Sequence, residues 1–171
     1  FPWAAELVRH RGILDAVESL IGPDILVFHT TVWLKEPNSP EFVPWHQDAT
    51  YFGLAPFEHV TAWVALTVSR AENGCVAVLP GSHQTGQRSH KDQRDERAML
   101  SRGQTLTDAV DASQAVELLL NPGDVSFHHT LLMHRSSPNR SAERRIGIGI
   151  SYIPASVRHI GDTRLSATLV R

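Results

Sequence analysis

Pro44-Trp45-His46-Gln47-Asp48-Ala49-Thr50-Tyr51-Phe52 is the stretch whose reading decides the fold. His46 and Asp48 are separated by one residue. On an extended strand both side chains therefore leave the same face, about 7 Å apart at their Cα atoms. An imidazole nitrogen and a carboxylate oxygen then converge on one cation. A third ligand has to come from far along the chain, and His134, in His128-His129-Thr130-Leu131-Leu132-Met133-His134-Arg135, is the best supplier. His128 and His129 are its rivals. They are adjacent, so only one faces inward, and His128 shares a face with His134 if the strand is regular. A His-x-Asp triplet alone recurs by chance; its setting gives it weight.

Composition bounds that setting. The chain has 171 residues, 42% of them hydrophobic and 20% charged. It reads as one soluble globular domain over residues 1–171. A formal net charge of -2 gives no electrostatic case for nucleic acid, and no apolar run approaches the roughly 18 residues that span a membrane. One cysteine, Cys75, permits no internal disulfide, which favours a reducing, cytoplasmic compartment. The chain opens at Phe1 without a signal-peptide pattern, and an N-terminal segment is expected to be missing from it.

Outward from the opening stretch, residues 1–22 carry Leu7, Leu14, Val17, Leu20 and Ile21 at helical spacing, with an end near Gly22-Pro23. Gly12 weakens the first half of that helix. Ile25 to Leu34 is β-branched and aromatic and runs into a loop at Lys35-Glu36-Pro37-Asn38-Ser39-Pro40. Residues 42–52 continue extended. Val60–Val68 is the clearest strand, and Cys75–Leu79 is a shorter one. The polar, highly charged tract from Gln84 to about Asp111 is a long insertion of the kind that serves as a lid or binding loop, with a short helix near 92–101. Strands follow at Ala115–Leu120, at Val125 to about His134 and, after a loop over Ser136–Glu143, at Arg145–Tyr152. In the last of these, glycines alternate with isoleucines, so one face carries bulk and the other admits close backbone approach, as beside a ligand. The tail after Pro154 has no clear assignment.

Many short strands, Gly/Pro turns and one leading helix favour an all-β core over βαβ units. The expected fold is a double-stranded β-helix, a jelly roll of the cupin kind, with a flanking N-terminal helix. Its two sheets would place residues near 46 and 134 side by side in a barrel mouth. Two histidines and one carboxylate with open positions are the donor set of non-haem Fe(II) oxygenases.

The opening stretch, Thr61-Ala62-Trp63, Glu72-Asn73-Gly74-Cys75-Val76-Ala77-Val78-Leu79-Pro80-Gly81-Ser82-His83, Asn121-Pro122-Gly123-Asp124 and the pairing of His134 with Arg145 resemble the phytanoyl-CoA dioxygenase family. Gly22-Pro23-Asp24-Ile25 and His29-Thr30-Thr31 are similar to it as well, so the likeness runs over residues 22–154. The resemblance implies the double-stranded β-helix and Fe(II)- and 2-oxoglutarate-dependent oxidation. It carries over His46, Asp48 and His134 as iron ligands and Arg145 as the main 2-oxoglutarate anchor, with Ser136 and Trp63 lining the cosubstrate site.

Physical chemistry agrees with that implication. A 2-oxoglutarate chelates iron through its keto oxygen and C1 carboxylate, and its C5 carboxylate then needs a cation several ångströms away. Arginine suits the task because its planar fork donates two parallel charge-assisted hydrogen bonds. Arg144 competes with Arg145; strand parity puts the two on opposite faces, and the spacing of eleven residues from His134 favours Arg145. Ser136 has a hydroxyl to offer the same carboxylate, Trp63 walls the pocket, and the last iron position is left for O2. Thr50, Tyr51 and Phe52 fall on the substrate side, which the 84–111 insertion is placed to close. Lys91, Arg94 and Arg97 alternate with Asp92, Asp95 and Glu96 and read as solvated surface. His83 reads as a turn or pocket-edge residue and Cys75 as a buried strand residue. Gly147 and Gly149 precede no helix and make no phosphate loop.

The expected activity is that of a dioxygenase hydroxylating a small organic or acyl substrate, with 2-oxoglutarate going to succinate. A cupin-type isomerase or hydrolase would keep the metal ligands but has no reason to place Arg145 where it is. A non-catalytic binding jelly roll would be expected to have lost one of the four site residues. A halogenase would replace Asp48 with a small residue.

Overall fold

The computed structural model describes residues 1–161 and 166–171. Two helices, α1 (Pro2–Leu7) and α2 (Arg11–Ile21), open the chain. The single helix expected over 1–22 is thus divided. The break falls at Val8–His10 rather than at Gly12, because His10 takes an extended backbone as N-cap of α2 (φ -60°, ψ 123°). Ile13, Leu14 and Val17 are the buried stripe of α2, and Gly22 closes the helix at φ 80°, a backbone that costs glycine no Cβ strain.

The strands are β1 (Ile25–Lys35), β2 (Val43–His46), β3 (Leu54–Ala55), β4 (Val60–Ala65), β5 (Val76–Val78), β6 (His90–Asp92), β7 (Gln104–Leu106), β8 (Val116–Glu117), β9 (Val125–His129), β10 (His134–Ser136), β11 (Arg145–Pro154), β12 (Arg158–His159) and β13 (Thr168–Leu169). They form a sheet of order β13-β1-β11-β4-β9 and a second of order β2-β10-β5-β8, with small pairs β12-β3 and β6-β7. The ladders are antiparallel throughout. This is the double-stranded β-helix, and its neighbours in space are distant in sequence.

Parity along β11 separates the core from the cavity. Ile148, Ile150 and Tyr152 pack with Ala62 and Val64 of β4 against the α2 stripe, and the Tyr152 hydroxyl donates to Val8 O at 3.0 Å. The opposite face carries Arg145, Gly147, Gly149 and Ser151 toward the space between the sheets. There Trp63, Ala65, Val76 and Val78 form a second buried cluster with Trp33 against it. The close approach expected at the glycines is made by side chains. A Cβ on Gly147 would fall inside the Trp63 indole, and one on Gly149 would sit 3.1 Å from Trp33 Nε1.

Four local expectations are corrected. The extended run over 42–52 stops at His46, and Asp48 is already helical (φ -59°, ψ -32°) at the head of a one-turn helix, α3 (Ala49–Phe52). The backbone there is held by Ala49 N–H donating to Thr130 O at 3.1 Å and by Tyr51 and Phe52 N–H donating to Asp48 O. The strand expected from Val125 to His134 is two strands in different sheets, separated by a turn at Thr130–Leu131. His128 and His134 therefore do not share a strand face. The stretch 115–120 pairs as a strand only at Val116–Glu117, with a bridge from Leu120 to Ser69. Finally, no helix forms near 92–101. Strands β6 and β7 pair with each other, and Phe42 bridges Ala98.

Candidate metal centre and anion pocket

His46 ends β2 and His134 begins β10, and the two strands pair so that these residues face each other in register. Their ring centroids are 4.1 Å apart. The α3 turn folds Asp48 back beneath them, with Oδ1 3.5 Å from His46 Nε2 and 3.7 Å from His134 Nε2. All three donor atoms lie within 4.8 Å of one another. Metal bonds of about 2.0–2.2 Å set neighbouring donors about 3 Å apart, so a first-row cation needs only a small contraction of this set.

Hydrogen bonding fixes which nitrogen each ring offers. His46 Nδ1 lies 2.9 Å from Pro44 O, and His134 Nδ1 lies 2.9 Å from Leu132 O. A carbonyl only accepts, so both Nδ1 atoms carry the proton and both Nε2 lone pairs point at the gap. Burial, reinforced by His46, pushes His134 down to about 3. Burial opposes ionisation of Asp48, but the surrounding His134, His46 and His128 hold its carboxyl well below the usual carboxylate range. Neutral imidazoles and an ionised carboxylate are the forms that bind a metal.

The second Asp48 oxygen is committed elsewhere. Thr61 Oγ1 donates to Oδ2 at 3.0 Å. With its one proton so used, the Thr61 oxygen accepts from His59 Nε2 at 3.1 Å, and His59 Nδ1 accepts from Thr130 Oγ1 at 3.0 Å. Burial lowers His59 to about 4, which keeps it neutral. Oδ1 alone faces both histidines. His128 is buried beside Oδ2, with Nε2 3.8 Å away, and lines the cavity next to the donor set.

Arg145 starts β11 on its inward face. It is 1% exposed, and its guanidinium carbon stands 5.4 Å from the Trp63 ring centroid. Burial pushes it down to about 10, its Nε has no acceptor, and among the described residues no carboxylate pairs with it. Arg144, by contrast, is outside and donates to Glu36 Oε2 at 2.8 Å. Ser136 and Trp63 are buried near Arg145 and line the same cavity as the metal donors, a space of about 450 Å³. Trp33, Tyr51, Phe52, Met99, Gln104 and Arg135 contribute to the rest of its wall. A buried, acid-free guanidinium at the end of a cavity whose other end holds metal donors fits a ligand with a chelating head and an anionic tail.

Two residues of this region gave no signal in the reading of the sequence. Lys35, in a stretch whose sequence predicts a loop, is the register partner of Arg145 and is fully buried. Its parity with Thr31 and Trp33 was the available clue. Burial, then the charge of Arg145, pushes it down to about 7. Gln47, between the two donors of the triplet, is 1% exposed. Its Nε2 donates to Gly86 O at 3.0 Å and Leu131 O at 2.7 Å, while its Oε1 accepts from Arg88 N at 2.8 Å. These bonds tie the insertion to the donor stretch.

Other residues singled out in the sequence fall outside the donor set. Tyr51 and Phe52 line the cavity, while Thr50 Oγ1 is 3.0 Å from His90 Nδ1. Arg97 pairs with Asp95 at 2.9 Å on the surface. His83 packs near His129, with ring centroids 5.7 Å apart, and Cys75 is buried, its thiol pushed up to about 11 by burial.

Known proteins resemble this chain in sequence and fold. The chain is 32% identical to human peroxisomal phytanoyl-CoA dioxygenase over 86% of its own length and 45% of that protein. It is 30% identical to a probable alpha-ketoglutarate-dependent hypophosphite dioxygenase of Stutzerimonas stutzeri, over 87% of this chain and 52% of that one. It thus spans about half the length of the curated relatives it matches. Among solved structures, the non-haem monooxygenase ThoJ in its apo form superposes with a TM-score of 0.88 at 37% identity, covering 99% of this chain and 62% of ThoJ. The alpha-ketoglutarate-dependent epimerase SnoN of nogalamycin biosynthesis does so with a TM-score of 0.71 at 25% identity, covering 91% and 58%. A profile of the phytanoyl-CoA dioxygenase (PhyH) family matches residues 2–147, and the chain belongs to that family.

Proposed function

We propose that the protein is an Fe(II)- and 2-oxoglutarate-dependent dioxygenase that hydroxylates a small organic or acyl substrate. The observation that carries this is the pairing, in one cavity, of the His46–Asp48–His134 donor set with the buried and acid-free Arg145. With iron and 2-oxoglutarate bound, a site of this kind couples decarboxylation of the oxoacid to succinate and CO2 with placement of one oxygen atom from O2 in a substrate C–H bond.

The chain's own residues have the following parts. His46 and His134 offer Nε2 to the metal, each ring fixed by the backbone carbonyl at its Nδ1. Asp48 would offer Oδ1, while Thr61 holds Oδ2. Arg145 binds the distal carboxylate of 2-oxoglutarate with the Ser136 hydroxyl beside it. Trp63 stacks on that guanidinium and excludes water behind it. The 84–111 insertion, hung from Gln47, supplies the outer wall through Met99, Leu100 and Ser101 and serves as the lid. A cupin isomerase or hydrolase has no use for an unpaired internal arginine. The buried, free Cys75 suits a reducing compartment, and we place the protein in the cytoplasm; among the described residues no helix is long and apolar enough to cross a membrane.

The test is turnover with 18O2 across a substrate panel under iron and 2-oxoglutarate, in high chloride. Label is expected once in succinate and once in a hydroxylated product. A chlorinated product, or turnover that does not need 2-oxoglutarate, overturns the reading.

A further inference from the structure

Lys35 is a lysine buried from solvent. It is 0% exposed, and among the described residues no carboxylate lies within ion-pair distance of it. Its Nζ instead donates to Ser136 Oγ at 2.8 Å and, closely, to Ser137 O. The space around it is enforced by the chain. Gly74, at φ +74°, carries no side chain where a Cβ would stand 3.2 Å from Lys35 Cδ and collide with Ser137 O. Asn139 Nδ2 caps Lys35 O at 3.3 Å. Lys35 and Arg145 are register partners at the same end of the β1–β11 ladder, so two basic side chains are buried side by side, and among the described residues neither has a carboxylate partner.

The direction of the Lys35–Ser136 bond has a consequence. With Lys35 as the ammonium, the form that an anion bound beside Arg145 favours, Nζ has three donors and no acceptor, so Ser136 Oγ accepts from it. The Ser136 proton is then free to point away from Lys35, toward the cavity that Ser136 lines with Arg145. We propose that Lys35 is a positioning residue of the cosubstrate pocket: it sets the Ser136 hydroxyl as a donor to the distal carboxylate of 2-oxoglutarate and adds a second positive charge behind Arg145. This rests on the reading that Arg145 and Ser136 receive that carboxylate. Lys35 does not touch the ligand itself; its action passes through Ser136 and through the field.

The experiment compares anaerobic titration of 2-oxoglutarate with that of 2-oxobutyrate, which has the same chelating oxoacid head and no distal carboxylate. Both are titrated into the Fe(II)-loaded protein. Lys35→Met should weaken 2-oxoglutarate about tenfold or more and leave Fe(II) and 2-oxobutyrate affinities unchanged. Ser136→Ala should do the same, and the double variant should lose little more than either alone, since both remove one hydrogen-bonded path. In turnover, KM for 2-oxoglutarate should rise with kcat nearly constant. Lys35→Gln keeps a donor for Ser136 and drops the charge. Should Lys35→Met not fold, an unchanged preference for 2-oxoglutarate over 2-oxobutyrate overturns the charge part of the proposal when seen in Lys35→Gln and the hydroxyl part when seen in Ser136→Ala. Full additivity of Lys35→Met and Ser136→Ala, or equal loss of both oxoacids, overturns the proposal. Arg145→Gln separates the two levels. If it loses 2-oxoglutarate while the Lys35 variants do not, Lys35 alone is misassigned; if it binds 2-oxoglutarate normally, the cosubstrate reading fails with it.

Discussion

Replacing Arg145 by methionine should push ligand-free stability and ligand affinity in opposite directions. The guanidinium is 1% exposed and without a carboxylate partner among the described residues, and burial has lowered it from 12.5 to about 10. That difference corresponds to about 3 kcal/mol by which folding disfavours the charged form. Against it stands the stacking on Trp63 at 5.4 Å, worth about 1 kcal/mol. Methionine fills a similar volume without the charge, so the variant should be more stable by about 2 kcal/mol in the absence of ligand. For a chain of 171 residues this is a rise of about 4–8 °C in Tm. The same change removes one partner of a buried charged pair once 2-oxoglutarate is present, a loss of about 2–5 kcal/mol, or about thirtyfold to several thousandfold in Kd. Calorimetric melting of the ligand-free protein and anaerobic titration of the Fe(II)-loaded protein measure the two arms. A variant that melts lower than the parent, or one that binds 2-oxoglutarate unchanged while Arg144→Met does not, refutes the reasoning.

Three further outcomes follow from the same geometry. His46→Ala and His134→Ala should each abolish the single Fe(II) site seen by anaerobic titration of the parent; retained binding in both would remove the metal assignment. Gly147→Ala should destabilise the fold by about 1–3 kcal/mol by overpacking, because its Cβ meets the Trp63 ring; a urea midpoint equal to the parent's would mean that the indole moves freely. Lys35 is held near about 7 against its usual 10.5, so between those values the unfolded chain binds more protons than the folded one. Ligand-free stability should therefore rise with pH across that window, by at most about 1.4 kcal/mol per unit from this group. Lys35→Met should flatten the rise, and parallel pH profiles for parent and variant would dismiss it.

The strands that frame the site were legible because their residues are β-branched and bounded by Gly and Pro, as at Ile25–Lys35, Val60–Ala65 and Arg145–Pro154. The inward parity of Arg145 could be read for the same reason, since one strand runs unbroken from it to Pro154. Where the reading failed, no local signal existed. Thr130-Leu131-Leu132-Met133 is an apolar run without a breaker, yet the chain crosses there from one sheet to the other. Gln47-Asp48-Ala49-Thr50 also lacks a breaker. Its helical turn depends on a bond from Ala49 N to Thr130 O, a residue far along the chain. The polar insertion favours no helix because β6 and β7 pair with each other and Ala98, between them, bridges to the distant Phe42. Lys35 was hidden by its type: a lysine beside Glu36 and Pro37 looks like a loop, and only the register with Arg145 shows it inside.

The amide of Gln47 hangs the outer wall of the mouth from the backbone that carries the metal donors. Its three bonds reach Gly86, Arg88 and Leu131, whereas the wall residues Met99, Leu100 and Ser101 lie beyond the suspension point. Laboratory evolution of this scaffold thus has a natural cut. Libraries at 99–101 reshape the entrance while the hanger stays intact. Hairpins grafted in place of 90–106 would keep the 86–88 ties to the Gln47 amide, but would have to rebuild the Phe42 bonds to Arg97 O and Met99 N–H and the bond from Gln47 N–H to His90 Nε2. A graft that starts before Gly86 would also cut the Gln47 ties and leave the wall only what it rebuilds at Phe42.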